Sequence, residues 1–255
     1  MNSLFPVALR FELDKMRRSN VVRIASLIVM IFPPLLAAAG VVALRADLEG
    51  AFAAKASVLV RGEGWEAYLG LAAQVLSVAA LLGIGFVCAW SFGREFEENT
   101  IVNLFGLPIR RGELALAKGL ALVAWVIALS LFAAVLVVLV GFAVRPGTGS
   151  LAGAWLPFVV SVLTGFNVLP VAWVATARRS YLPAVAVLLG LVVAVQLLMA
   201  VGVGAWFPWS VPGLLAGFSP TLRPNVVQCL LPLLVGALSV WAVVRAWDRL
   251  ELGRS

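Results

Sequence analysis

The sequence predicts an all-α, polytopic membrane protein with six transmembrane helices, and three observations carry that prediction. Of 255 residues, 63% are hydrophobic and only 12% charged, with a mean hydropathy of +1.07, against about a quarter charged in an ordinary soluble domain. Apolar runs of ~20 residues, the length that crosses the hydrocarbon core as a helix, recur at 24–44, 71–92, 120–144, 156–177, 185–206 and 226–244. Fourteen of the 19 Lys and Arg residues lie at the termini and in the loops after runs two and four. The positive-inside rule then places both termini in the cytoplasm of a multi-pass cell-membrane protein. The net charge of +7 follows from this topology, and the basic residues show no aromatic interleaving of the kind that binds nucleic acid.

Before the first run, Phe5, Leu9, Leu13 and Met16 recur at helical spacing, while Arg10, Asp14 and Arg17 occupy another face. Residues 1–20 therefore read as an amphipathic helix on the inner membrane surface, in contact with membrane lipid. The run at 24–44 is longer than a secretory signal core and reads as a retained first span. The outer segment 45–68 carries Asp47, Glu49, Glu63 and Glu66 and has room for a short helix, whereas "RPGTGS" at 145–150 is a tight turn. Segment 206–225 is apolar but interrupted by Pro208, Pro212, Pro220 and Pro224. Irregular backbone is too costly in lipid, so this segment reads as an interfacial or re-entrant hairpin. The whole of 1–255 reads as one domain.

As bounded here, the six runs contain no Asp, Glu, Lys, Arg or His. Ion-coupled transport usually relies on an intramembrane ionisable group or an unwound helix, and none of the former falls within these runs. Cys88 and Cys229, with no histidine anywhere, give no metal or thiol framework. No nucleophile with a base and no Gly-x-x-x-x-Gly-Lys phosphate loop occurs. The chain thus reads as a protein without catalytic residues whose driving force comes from another polypeptide.

Against this background "GREFEENTIVNLFGLPIRRGELALAKG", residues 93–119, stands out by holding eight of the 31 charged residues. Glu95, Glu97 and Glu98 suit a helix amino-terminal end; Ile101, Leu104 and Phe105 share a helical face, and Gly106 with Pro108 is a stop. A helix this short needs something to pack on.

These residues resemble the membrane subunits of ABC exporters of the type-2 class. An acidic stretch (Arg94, Glu95, Glu97, Thr100) leads into a short helix, an L-P turn (Leu107, Pro108, Ile109, Arg111) follows, and Leu116 and Lys118 open the third span. The resemblance implies a permease domain with an amphipathic connecting helix at 1–20, a cytoplasmic coupling-helix loop at 93–112, and an outer hairpin at 206–225. It implies that Arg94, Glu95, Glu97, Glu98, Thr100, Ile101, Leu104, Phe105, Pro108 and Arg111 meet an ABC ATPase. It further implies two ATPase subunits holding Mg-ATP, no cofactor on this chain, a second permease chain, identical or homologous, and export of a drug, antimicrobial peptide or lipid-linked molecule. A six-span subunit for respiratory cofactor assembly and a non-transporting scaffold or sensor remain open at this point. Gln74, Asn167 and Gln196, neutral polar groups deep in the runs, are candidates for the substrate path, with interhelical hydrogen bonding as the other reading. Pro33, Pro34, Pro170 and Pro232 are candidate kinks.

Overall fold

In the computed structural model, which describes residues 4–46, 50–101, 106, 108–219 and 221–250, every apolar run is helical over most of its length. The elements are α1 (Phe5–Arg18), α2 (Asn20–Arg45), α3 (Ala51–Leu59), α4 (Gly64–Glu97), α5 (Arg111–Val144), α6 (Leu156–Asn167), α7 (Pro170–Arg178), α8 (Tyr181–Ala200), α9 (Val211–Leu215) and α10 (Val226–Asp248). Among the described residues six helical stretches are long and apolar enough to span a membrane, with α6 and α7 together forming the fourth.

Packing follows the residues available. The second span, α4, sits against α2, α6, α7 and α8, while α5 packs on α1, α2, α6 and α10. Buried and half-buried polar side chains join helices pairwise where lipid offers no partner. Tyr68 Oη donates to the Val137 carbonyl at 2.8 Å, Trp125 Nε1 to Ser26 Oγ at 3.1 Å, and the Ser130 and Ser161 hydroxyls meet at 2.8 Å.

The helices depart from the apolar runs at their ends. α4 begins at Gly64 and α5 at Arg111, so both carry charged turns that hydropathy excluded. The six spans are therefore not free of ionisable groups: Glu95 and Lys118 lie inside them and are buried. The fifth stops at Ala200 rather than continuing to 206, because the chain turns at Gly202, whose φ of 86° favours glycine. Pro33 and Pro34 stay within a continuous α2, but the fourth span breaks ahead of Pro170, where Val171 and Ala172 donate to the carbonyls three residues back.

The stripe of α1 does not lie free on a surface. Ala8, Glu12 and Met16 are buried, and Phe5, Leu9 and Leu13 pack on the same core as α5. Beside them, Leu4, Val7 and Phe11 form a second apolar face that is exposed. Segment 206–225 folds as two single-turn helices, Gly204–Trp206 and Pro208–Ser210, followed by α9. It meets the fourth span at Asn167, whose Nδ2 donates to the Pro208 carbonyl at 2.7 Å while its own carbonyl accepts from Trp209 Nε1 at 2.7 Å.

Candidate functional site

At the end of the bundle where α1, α4 and α5 meet, four charged side chains form a closed group. Lys118 Nζ donates to Glu95 Oε1 at 2.6 Å and to Glu12 Oε2 at 3.0 Å. Lys15 donates to Glu95 and lies 3.7 Å from Glu12 Oε1. Two carboxylates and two ammonium groups balance, so the cluster is neutral although Glu12, Glu95 and Lys118 are each at most 3% exposed. An unpaired charge at this depth would be prohibitive, whereas a matched and hydrogen-bonded set is tolerated. Burial pushes the Lys15 ammonium below its ordinary pKa, Lys118 adds to that, and the two carboxylates oppose both.

Aromatic rings close the other side. Lys118 Nζ stands 5.7 Å from the centroid of Phe92, and Phe92 and Phe96 meet Trp247 of α10 edge to face at 6.4 and 6.3 Å. Trp247 Nε1 donates to Thr176 Oγ1 at 3.3 Å, bringing α7 into contact.

The acidic stretch closes α4, and most of the coupling helix expected to follow it lies outside the described residues. Glu97 is the last residue of that helix, and Asn99 turns the chain with a φ of 53°. Carboxylates at a helix C-terminus are disfavoured by the helix dipole, and each is compensated by a different element. Glu95 is taken up by the two lysines. Glu97 caps α8, its Oε1 accepting from Tyr181 N–H at 3.2 Å and from Ser180 Oγ at 2.5 Å. Close approach of α4 to α8 is possible because Gly93 faces the Tyr181 backbone.

The far side of the loop is held in the same way. Asp248 Oδ1 accepts from the Gly112 N–H at 2.9 Å, and Arg111 donates to the Leu250 carbonyl. The stretch between Glu98 and Arg110 is thus anchored where it leaves the bundle and where it returns.

Of the residues expected to meet an ATPase, Glu97, Glu98, Thr100 and Pro108 are exposed, and Arg94 and Arg111 are half-buried. Glu95 and Ile101 turn inward, at 1% and 4% exposure, so each holds the loop to the bundle from inside. Leu104, Phe105 and Leu107 lie outside the described residues, and with them most of the expected coupling helix.

The three substrate-path candidates are not brought together. Gln74 Nε2 donates to the Leu59 carbonyl at 3.1 Å, and its Oε1 is buried without a partner, as is Asn167 Oδ1. Gln74 also lines a cavity of about 610 Å³ between the start of α4, the turn at 149–153 and the 214–224 segment. Gln196 stands exposed on α8, away from both. Sequence reasoning missed Glu12 and Lys15 of the ionic group and the caps from Glu97 and Asp248. One signal was present: Glu12 interrupts the apolar face of α1 between Leu9 and Met16, as Lys118 interrupts the apolar run "LALAKGLALV". An ionisable residue in such a position needs a partner.

Comparison with known proteins places this arrangement. Among curated proteins, the bacitracin transport permease protein BCRB of Bacillus licheniformis is 29% identical over 161 residues, which cover 59% of this chain and 76% of that protein. Residues 8–196 match the model of the family described as ABC-2 family transporter protein, a stretch that takes in most of α1, the ionic group and the anchored loop. The chain belongs to the ABC-2 family of transporter proteins.

Proposed function

We propose that this chain is the membrane-spanning subunit of an ATP-driven exporter of amphiphilic compounds, with peptide antibiotics of the bacitracin kind as the first candidate cargo. The observation that carries the reading is the family match over residues 8–196, which includes the anchored loop. The cargo class rests on the similarity to the bacitracin permease. ATP hydrolysis belongs to separate ABC ATPase subunits, two per complex, with Mg-ATP bound there and no cofactor on this chain. A second permease chain completes the path.

In this reading residues 97–107 form the coupling element. Glu98, Thr100 and Pro108 are exposed to meet the ATPase, while Glu95, Glu97 and Arg111 fix the loop to the bundle. A displacement of the loop on ATP binding is carried at once to α1, α4, α5, α8 and α10, because buried contacts join all five at this end. The path then shifts between inward-facing and outward-facing states. The contact of Pro208 and Trp209 with Asn167 supports a re-entrant hairpin near the outer end of the path.

The test is copurification of a tagged chain from its native membrane in mild detergent, with ATP hydrolysis assayed in the eluate. Wild type should retain a phosphate-loop ATPase, and Leu104→Asp should lose it while keeping its unfolding temperature. Leu104→Asp is used alone because Glu97 also caps α8. Absence of any ATPase from the wild-type eluate in several detergents would overturn the proposal. Cells expressing the complex should also survive bacitracin better than cells carrying the Leu104→Asp form.

A further inference from the structure

Between α2 and α4 runs an apolar groove of about 760 Å³, bounded by residues such as Ile24, Ile28, Phe32, Val78, Leu82 and Phe86, with Gln74 as its polar side chain at the far end. From Phe86 to Gln74 the groove follows α4 for twelve residues, about 18 Å at the helical rise. That is close to one leaflet of a ~30 Å hydrocarbon core.

Toward the basic end the same seam leads to a second hollow of about 530 Å³, lined by Phe11, Asp14, Lys15, Arg18, Ser19 and Arg94. Ser19 borders this hollow and Val21, two residues on, borders the groove. On α4, Gly83, Phe86, Trp90 and Arg94 follow at spacings that keep them on one face. The Arg94 guanidinium lies 4.3 Å from the Trp90 ring centroid, so an aromatic and a cation stand together at the depth where headgroups begin.

The hollow carries three cations against Asp14. Lys15 is shared with Glu95 and Glu12, and Glu98 Oε2 lies 3.9 Å from Arg94 Nε. Arg94 Nε is shielded from solvent and makes no hydrogen bond. Arg18 is exposed beside it. An apolar channel one leaflet long, ending in two guanidinium groups that line one hollow, matches a diacyl lipid whose headgroup bears a phosphate.

We infer that the α2–α4 seam binds one anionic phospholipid, its phosphate on Arg18 and Arg94 and an acyl chain in the groove. The bound headgroup stands beside Lys15 and Arg94, next to the ionic group that joins α1 to α4. The lipid thereby fills the outer side of the junction from which the loop departs.

The probe is phosphatidylglycerol mixed with an excess of phosphatidylcholine in nanodiscs holding the full chain, followed by native mass spectrometry after release into mild detergent. Wild type should retain phosphatidylglycerol severalfold in preference to phosphatidylcholine. Arg18→Gln, at the headgroup end, and Val78→Trp, which fills the groove, should each remove that preference at an unchanged unfolding temperature. Arg249→Gln, an exposed cation on another element, should leave it intact. Excess soluble glycerol phosphate should not displace the lipid. Equal retention of the two lipids by wild type, preference surviving both site variants, an equal loss in Arg249→Gln, or displacement by glycerol phosphate would each overturn the inference.

Discussion

Lys118 holds three helices through one ammonium group, and its removal is the most direct probe of the ionic group. Lys118→Met leaves Glu95 and Glu12, both buried, competing for Lys15. Breaking a buried pair from one side costs ~3–5 kcal/mol, so unfolding in mixed micelles should shift by about that much. Adding Glu95→Gln to Lys118→Met should recover a large part of the loss, because no carboxylate at Glu95 then lacks its partner. Strict additivity of the two changes would show that the pair is not coupled. A different outcome is expected at Glu97, whose carboxylate caps the first turn of α8. Glu97→Gln should cost about 1 kcal/mol, a typical cap contribution, and speed amide exchange at 181–184 while leaving α5 protected. These partnerships were only half legible. The composition of 93–119 marked the charges as selected, but Glu95 and Glu12 stand 23 and 106 positions from Lys118. No local period links residues so far apart; only Glu12 and Lys118 betrayed themselves, each by standing in an apolar stretch.

The helices themselves were legible because each apolar run is long enough to demand a span, and lipid forces such a run to satisfy its backbone internally. Their ends were not. α4 extends through Glu97 because its terminal carboxylates find partners on α5, α1 and α8, and hydropathy counts the charge without seeing the partner. The break in the fourth span was foreshadowed by Pro170, whereas Pro33 and Pro34, equally visible, leave α2 continuous. The contact of α4 with α8 depends on Gly93: a Cβ there would press well inside van der Waals contact on Tyr181 N, which is backbone and cannot swing aside. Gly93→Ala should therefore destabilise by at least the ~1–3 kcal/mol typical of overpacking. Gly190, in the interior of α8, has open space where a Cβ would stand, with no neighbouring atom within 4 Å, so Gly190→Ala should gain up to ~1 kcal/mol of helix propensity. Thermal unfolding of the two variants in detergent gives opposite signs if the packing is as described.

Burial is uneven across the whole molecule, and that unevenness bears on how it assembles. In the most apolar stretch of α4, 61% of residues are buried; in α8 the share is 11%, with only Ala184 and Leu188 covered. Which face of α8 turns inward was not legible, since a helix apolar all round gives no moment to orient it. Its exposed surface holds Leu189, Val193 and Leu197, next to Gln196. An amide turned toward hydrocarbon is unfavourable, and a second helix or an aqueous path relieves it. In the proposed exporter, α8 is thus the face where two permease chains meet or where cargo passes. With Cys88 and Cys229 replaced by alanine, a single cysteine at Val193 should form a disulfide between two chains in native membranes. A cysteine at Leu238, equally exposed on α10, should not. Crosslinking at Leu238 with none at Val193 would move the interface to α10 and leave Gln196 of α8 to the path alone.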